Sequence, residues 1–193
     1  MTPSELTAFL AELEAFGILN DQRESDRSKK MLNLERETAQ LVGILIRATR
    51  ARNILEIGTS NGFGTIWLAV AAGPGGRVTT IDRNPLKVEM AKENLRRAGL
   101  LDSVDLRLGD ASQVVSELGG PFDLVLFDAD RYSAPEQLQL LISKLTPSAL
   151  VLADNALSHP EEIAGYLRAI AALPEFEHTV VPVGKGLSIA CRG

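Results

Sequence analysis

Two parts of this chain place small and acidic residues where a ligand can be held or activated. The first is Asn53-Ile-Leu-Glu56-Ile-Gly58-Thr-Ser60-Asn-Gly62-Phe-Gly64. An apolar run of β character carries Glu56 near its end, breaks into glycines, and passes straight into Thr65–Ala71, which reads as a helix. A strand, a glycine turn and a helix N-terminus offer backbone amides to a nucleotide-like ligand, and glycine leaves room where a Cβ would block approach. The same pattern also serves as a plain strand–helix connection. The second part is a pair of strand ends, Phe127-Asp128-Ala-Asp130-Arg131 and Ala153-Asp154-Asn155. On neighbouring parallel strands these ends emerge together at the carboxyl edge of a sheet. Two carboxylates and an amide oxygen form an oxygen-only half-shell suited to Mg²⁺ or another hard divalent cation. Asp and Asn at strand ends are also ordinary turn formers.

Two further acids follow the same logic. Asp82 ends the next apolar run about 20 residues past the glycine turn, where a carboxylate can accept both hydroxyls of a ribose. Asp82-Arg83-Asn84-Pro85 is equally a proper helix start. The run ending Leu108-Gly109-Asp110-Ala111-Ser112 offers Asp110 or Ser112 to a base, or as a cap for the following helix.

The elements that must position these groups follow from periodicity. Apolar runs predict strands over 54–57, 78–81, 104–108, 124–127, 150–153, 179–183 and 187–191. Helical patterns fall over 64–72, 85–98, 111–118, 134–145 and 160–173. Strict alternation implies right-handed crossovers and a parallel sheet covered on both faces. The last two strands are joined only by Gly184-Lys185-Gly186, too short a link for a crossover, so they pair antiparallel. Upstream, Thr2-Pro3-Ser4-Glu5 is a capping signature ahead of Leu6, Phe9, Leu10, Leu13 and Phe16 at helical spacing. That stripe must bury on its own domain or on a second subunit. Residues 20–30 are nearly all polar and read as an exposed loop. A helix over 35–50 would face Leu41, Leu45 and Ala48 inward.

At 193 residues, with 45% hydrophobic and 23% charged residues, the chain suits one α/β domain over 1–193, with 1–50 as a helical extension and 51–193 as the core. A formal net charge of −5 argues against nucleic acid as a partner. Arg47, Arg50, Arg52 and Arg96-Arg97 read as solvated helix ends. The lone Cys191 excludes an internal disulfide, fits a cytoplasmic location, and reads as a buried small hydrophobe. No apolar stretch suggests a membrane span or a leader. No Ser-His-Asp or Cys-His pattern supports hydrolysis: His159 precedes a helix near the Asp154-Asn155 turn, and His178 belongs to an outer strand.

The order Glu56-x-Gly58-x-x-x-Gly62 resembles the first motif of class I S-adenosylmethionine-dependent methyltransferases, in place of the Gly-x-Gly-x-x-Gly of dinucleotide folds. From about Met31 to Arg192 the chain resembles, more narrowly, the metal-dependent O-methyltransferases of the catechol and caffeoyl-coenzyme A type. The resemblance is carried by Met31-Leu-Asn33, Leu55–Gly64, Phe127–Asp130, Ala153–Asn155 and Pro182–Leu187. It implies a Rossmann-like seven-stranded sheet, five parallel strands plus an antiparallel C-terminal hairpin, preceded by helices. It implies S-adenosylmethionine held by Leu34, Glu56, Gly58, Ser60, Gly62, Gly64, Asp82, Arg83, Asp110, Ala111, Ser112 and Asp128. Glu56 would lie toward the cofactor's ammonium group, and Leu34 would cover the site. Asp128, Asp154 and Asn155 would be the metal ligands. The implied reaction is in-line methyl transfer to a small aromatic acceptor with adjacent hydroxyls, one of them acidified by the metal.

Catechol-type relatives carry a lysine base where this chain has Arg131. A guanidinium does not take the proton, so Arg131 would stabilise a phenolate, bind a substrate carboxylate, or serve as a surface ion-pair partner, leaving deprotonation to the metal, water or Asp130. Competing readings are a metal-independent or N-methyltransferase and a cofactor-binding module without turnover. A nicotinamide-dependent oxidoreductase is disfavoured by the glycine spacing and the antiparallel tail. The apolar first helix suggests a homodimer.

Overall fold

A single seven-stranded sheet organises the computed structural model, which describes residues 1–193. The strands are β1 (Asn53–Ile57), β2 (Arg77–Asp82), β3 (Val104–Leu108), β4 (Phe122–Phe127), β5 (Leu145–Ala153), β6 (Phe176–Val181) and β7 (Leu187–Arg192). The helices are α1 (Pro3–Arg23), α2 (Arg36–Thr49), α3 (Phe63–Ala72), α4 (Pro85–Ala98), α5 (Ala111–Glu117), α6 (Ala134–Leu141) and α7 (Pro160–Ala171). Strand order is β3-β2-β1-β4-β5-β7-β6, with β1 to β5 parallel and β7 antiparallel between β5 and β6. The Rossmann-like sheet with its reversed tail is therefore the observed architecture.

Side-chain alternation sorts the strands onto two cores. Ile54, Val78, Leu124, Leu126 and Leu152 pack under α1 to α4, whereas Leu55, Ile57, Val125, Phe127 and Val151 pack under α5 to α7. Glu56 shares the parity of Ile54, so its side chain enters the α3 face of the central strand.

Several boundaries depart from expectation. α1 runs to Arg23, through part of the polar segment expected to be a loop, and a short 3-10 turn follows at Arg27–Lys29. Polarity alone does not separate an exposed helical turn from a loop. Phe9, Leu10 and Leu13 bury on the chain's own core, while Phe16 stays exposed. Arg97 is more than a solvated helix end: its guanidinium stacks over the Phe9 ring at 4.3 Å and pairs with Glu12 at 3.2 Å. Arg52 likewise donates to the Ala72 and Pro74 carbonyls. α2 turns inward on Ala39, Val42, Gly43 and Ile46. Small residues at 39 and 43 permit close approach to α3, so Leu41 and Leu45 are flanking and Ala48 is exposed. Cys191 is exposed, contrary to its apolar context, because it lies beyond Ile189, which still packs on the α1–α4 core.

At the carboxyl edge, the loops after the strands continue the sheet by one more backbone bond each. Gly109 N donates to Asp82 O at 3.0 Å, Gly58 N to Ile81 O at 2.9 Å, Asp128 N to Ile57 O at 2.9 Å and Asp154 N to Phe127 O at 3.0 Å. Gly58 (φ +116°) sits so close to the next strand end that a Cβ would fall on the Asp128 carbonyl oxygen. Gly58→Ala should therefore cost at least about 3 kcal/mol in chemical denaturation. Gly99→Ala, at φ +72° with open space around it, should cost only about 1 kcal/mol. Equal losses would contradict the steric account.

Candidate cofactor and metal site

The glycines of the turn serve packing more than ligand access. Gly58 lets the turn pass the Asp128 backbone, and a Cβ on Gly62 would press on Ala91 of α4 at 3.2 Å. Only Gly64 uncovers a functional group: a Cβ there would lie 2.7 Å from Glu56 Oε1 and 3.9 Å from the Leu34 Cβ. Glu56 is 1% exposed. Its Oε2 accepts from the hydroxyls of Thr65 and Thr80, the latter at 2.6 Å. Burial drives its carboxyl up to about 7, against those two hydrogen bonds, with Asp82 adding to the rise.

Asp82 is oriented by the backbone. Ser60 N donates to Oδ2 and Asn84 N to Oδ1, both at 2.9 Å. Asn84, not Asp82, caps α4 through its contact with Leu86 N, so each Asp82 oxygen keeps accepting capacity. Ser60, itself left-handed at φ +49°, ties the turn to the N-terminal segment: its Oγ donates to Met31 O at 2.5 Å. Asp21 at the end of α1 clamps the same segment by accepting from Met31 N (2.6 Å) and Leu32 N (2.8 Å). Leu34 is thereby held, 4% exposed, above Gly64. Arg83 is exposed. Asp110 caps α5 through Gln113 N at 3.2 Å. Ala111 is half-buried, and Ser112 Oγ accepts from Gln137 Nε2 at 3.4 Å.

Asp128, Asp154 and Asn155 come together with Asp130 and Arg131 around one small cavity at the edge. Asp154 is 5% exposed, and its Oδ1 has no hydrogen-bond partner. Its Oδ2 accepts from Asn155 Nδ2 at 2.6 Å. Asn155 stands in the left-handed region at φ +65°. Burial raises the Asp154 carboxyl to about 6, against Asn155 and the cations Lys185 and Arg131, with Glu35 adding to the rise. Asp128 is held well above the usual carboxylate range by burial first, then by Asp154 and Glu56. No group of three His, Cys, Asp or Glu side chains is placed to hold a metal ion, so a cation here would have two carboxylates and the Asn155 amide oxygen, which accepts from Ser158 Oγ at 3.2 Å. That donor set, with an unpartnered buried carboxylate oxygen and mutually repelling acids, fits a hard divalent ion.

Arg131 is paired: Nε and Nη2 donate to Glu162 Oε2 of α7 at 3.0 and 2.8 Å, and its side chain is 10% exposed. It lines the cavity and is an ion-pair partner, with its side chain largely buried rather than at the surface. His159 contacts Ser158 Oγ at 2.8 Å, and His178 of β6 bonds Ser188 Oγ of β7 at 2.9 Å. Two residues escaped the sequence reading. Lys87 is half-buried with its ammonium pKa lowered by burial, among Asp82, Asp21 and Asp128, and its signal was a lysine five residues past Asp82. Lys185 is the second, inside a hairpin link read for its length and for the resemblance, with no role given to the lysine itself.

A family model described as O-methyltransferase matches residues 5–192. The catechol O-methyltransferase of Mycobacterium tuberculosis is 44% identical over 115 residues, covering 59% of this chain and 52% of that protein. Caffeoyl-CoA O-methyltransferase 1 of Eucalyptus globulus is 27% identical over 179 residues, covering 81% and 72%. The chain thus spans about half the length of the catechol relatives it matches. An O-methyltransferase from Bacillus cereus, solved in complex with SAH, superposes with a TM-score of 0.83 at 26% identity over 96% of this chain and 91% of that one.

Because the folded pKa of Glu56 lies above its unfolded value of 4.5, the native state keeps this proton longer than the unfolded chain. Its contribution is complete below about pH 4.5 and is lost as pH rises through about 7. Glu56→Gln has no such proton to lose. Between pH 4.5 and 8 wild type should lose about 3 kcal/mol relative to that variant in denaturant unfolding. Parallel pH curves would show that the carboxylate is not desolvated.

Proposed function

The chain belongs to the O-methyltransferase family, and from that premise we propose that it moves the methyl group of S-adenosylmethionine to a hydroxyl of a small catechol-like acceptor with a divalent cation. The observation that carries this reading is the row of edge bonds placing Asp128 and Asp154 beside the Glu56–Gly64 turn. Asp82, aimed by two backbone amides, would accept the ribose hydroxyls. Glu56 Oε1, uncovered at Gly64, would face the cofactor ammonium, and Leu34 would close the site from above. Ser112, Ala111 and Asp110 would border the adenine, with Arg83 at the rim. Asp128, Asp154 and Asn155 would hold the cation.

When bound, the cofactor supplies an electrophilic methyl and the cation lowers the pKa of the acceptor hydroxyl. The chain's own part is orientation: the strand ends set cofactor and acceptor groups side by side, the condition under which in-line transfer gains most from proximity. Arg131 stays charged, pins the β4–α6 loop to α7 through Glu162, and holds positive potential at the cavity. The acceptor proton therefore leaves to water or Asp130. The exposed Phe16, Ile18 and Leu19 of α1 support the homodimer; sedimentation as a monomer would end that part of the reading. A cytoplasmic setting remains part of the same proposal.

Supplying S-adenosylmethionine, catechol and Mg²⁺ should yield S-adenosylhomocysteine and a methoxyphenol, and a chelator should abolish turnover. Asp154→Ala should lower kcat/KM at least about a hundredfold with little change in cofactor affinity by calorimetry. Full activity of that variant would point to a metal-independent enzyme. Arg131→Gln should leave the rising limb of the kcat–pH profile in place, since a guanidinium takes no proton; loss of that limb would make residue 131 part of the proton path.

A further inference from the structure

Lys185 sits at the tip of the β6–β7 hairpin, and the tip is welded to the loop that follows Asp154-Asn155. Lys185 O accepts from Leu157 N at 3.0 Å and Ser158 N at 3.1 Å, and Gly186 O accepts from Ala156 N at 2.9 Å. The flanking glycines are left-handed, at φ +53° and +91°. A Cβ on Gly184 would fall against Glu35 and Thr38, and one on Gly186 would lie 2.5 Å from Leu157 Cγ. The backbone of Lys185 is thus fixed between the start of α2 and the candidate metal loop. Its ammonium lies within electrostatic reach of Asp128 and Asp154.

The ammonium has one partner, Glu35 Oε1 at 3.3 Å, and both side chains keep solvent access, 45% and 34%. A single-point pair of this kind holds by less than about 1 kcal/mol and exchanges readily for another anion. Leu157, whose amide is bonded to the Lys185 carbonyl, presents an apolar side chain that is 54% exposed. An aromatic ring resting on Leu157 would bring a ring substituent within reach of the Lys185 ammonium.

We propose that Lys185 is a specificity-determining residue that selects acceptors bearing an anionic group, such as a carboxylate, by exchanging Glu35 for it. The inference rests on the methyl-transfer reading for the location of the acceptor, and it concerns which acceptor is taken rather than the reaction itself.

Binding of catechol and of 3,4-dihydroxybenzoate, measured by calorimetry in S-adenosylhomocysteine and Mg²⁺, tests it alongside turnover with S-adenosylmethionine. Wild type should favour the benzoate. Lys185→Gln should weaken the benzoate about fivefold and leave catechol unchanged, and Lys185→Arg should keep the preference. Glu35→Gln, which frees the ammonium, should tighten the benzoate; a merely structural clasp would instead weaken both acceptors when broken from either side. Equal effects of Lys185→Gln on the two acceptors, or a benzoate weakened by Glu35→Gln, would overturn the proposal. The expected binding pattern without methyl transfer to either acceptor would uphold Lys185 and refute the proposed reaction. Failure of both acceptors to bind would refute both.

Discussion

The row of backbone hydrogen bonds that continues the sheet past its last paired residues is the constraint on which the candidate site depends. Each strand-end loop from β3 to β5 is tied to its neighbour by one amide, from Gly109, Gly58, Asp128 and Asp154 in turn. Backbone bonds of this kind fix the relative height of five chain segments far apart in sequence. Side chains at matched heights then meet without long reaches, and Gly58 is required because the Asp128 carbonyl occupies the space of its Cβ.

The same closeness gathers like charges. Glu56, Asp128 and Asp154 all have raised carboxyl pKa values, each first through burial. Asp154 and Glu56 both add to the rise at Asp128. The chain offsets this only partly, with threonine hydroxyls at Glu56 and with Lys185 and Arg131 at the other two. Carboxylates held at close quarters in buried and half-buried positions gain from a cation that neutralises them, which is how perturbed acids mark functional sites.

Covering the edge falls to segments that are remote in the chain. The 31–34 stretch is drawn over the glycine turn by Asp21 and Ser60, and the β6–β7 hairpin abuts both α2 and the 155–158 loop. The site is therefore walled by the two ends of the chain, with the sheet as its floor. Arg131 and Lys185 each reach this rim paired to a glutamate, Glu162 and Glu35, so the mouth carries positive groups without a free excess of charge.

Most strands and helices were legible from periodicity, caps and turn residues. α4 was read at its full extent, Pro85–Ala98, because Asn84-Pro85 and Gly99 mark its ends. The antiparallel tail followed from the length of one link. The acids at the strand ends were also legible, since position along a parallel strand fixes which edge a residue reaches. The inward face of α2, the exposure of Cys191 and the ion-pair partners of Arg131 and Lys185 were not. Local pattern records spacing along one segment and the conformational preferences of its residues. Which face finds a partner, and which charge meets which, depends on contacts between segments separated by tens of residues, and these exist only once the sheet has brought the segments together.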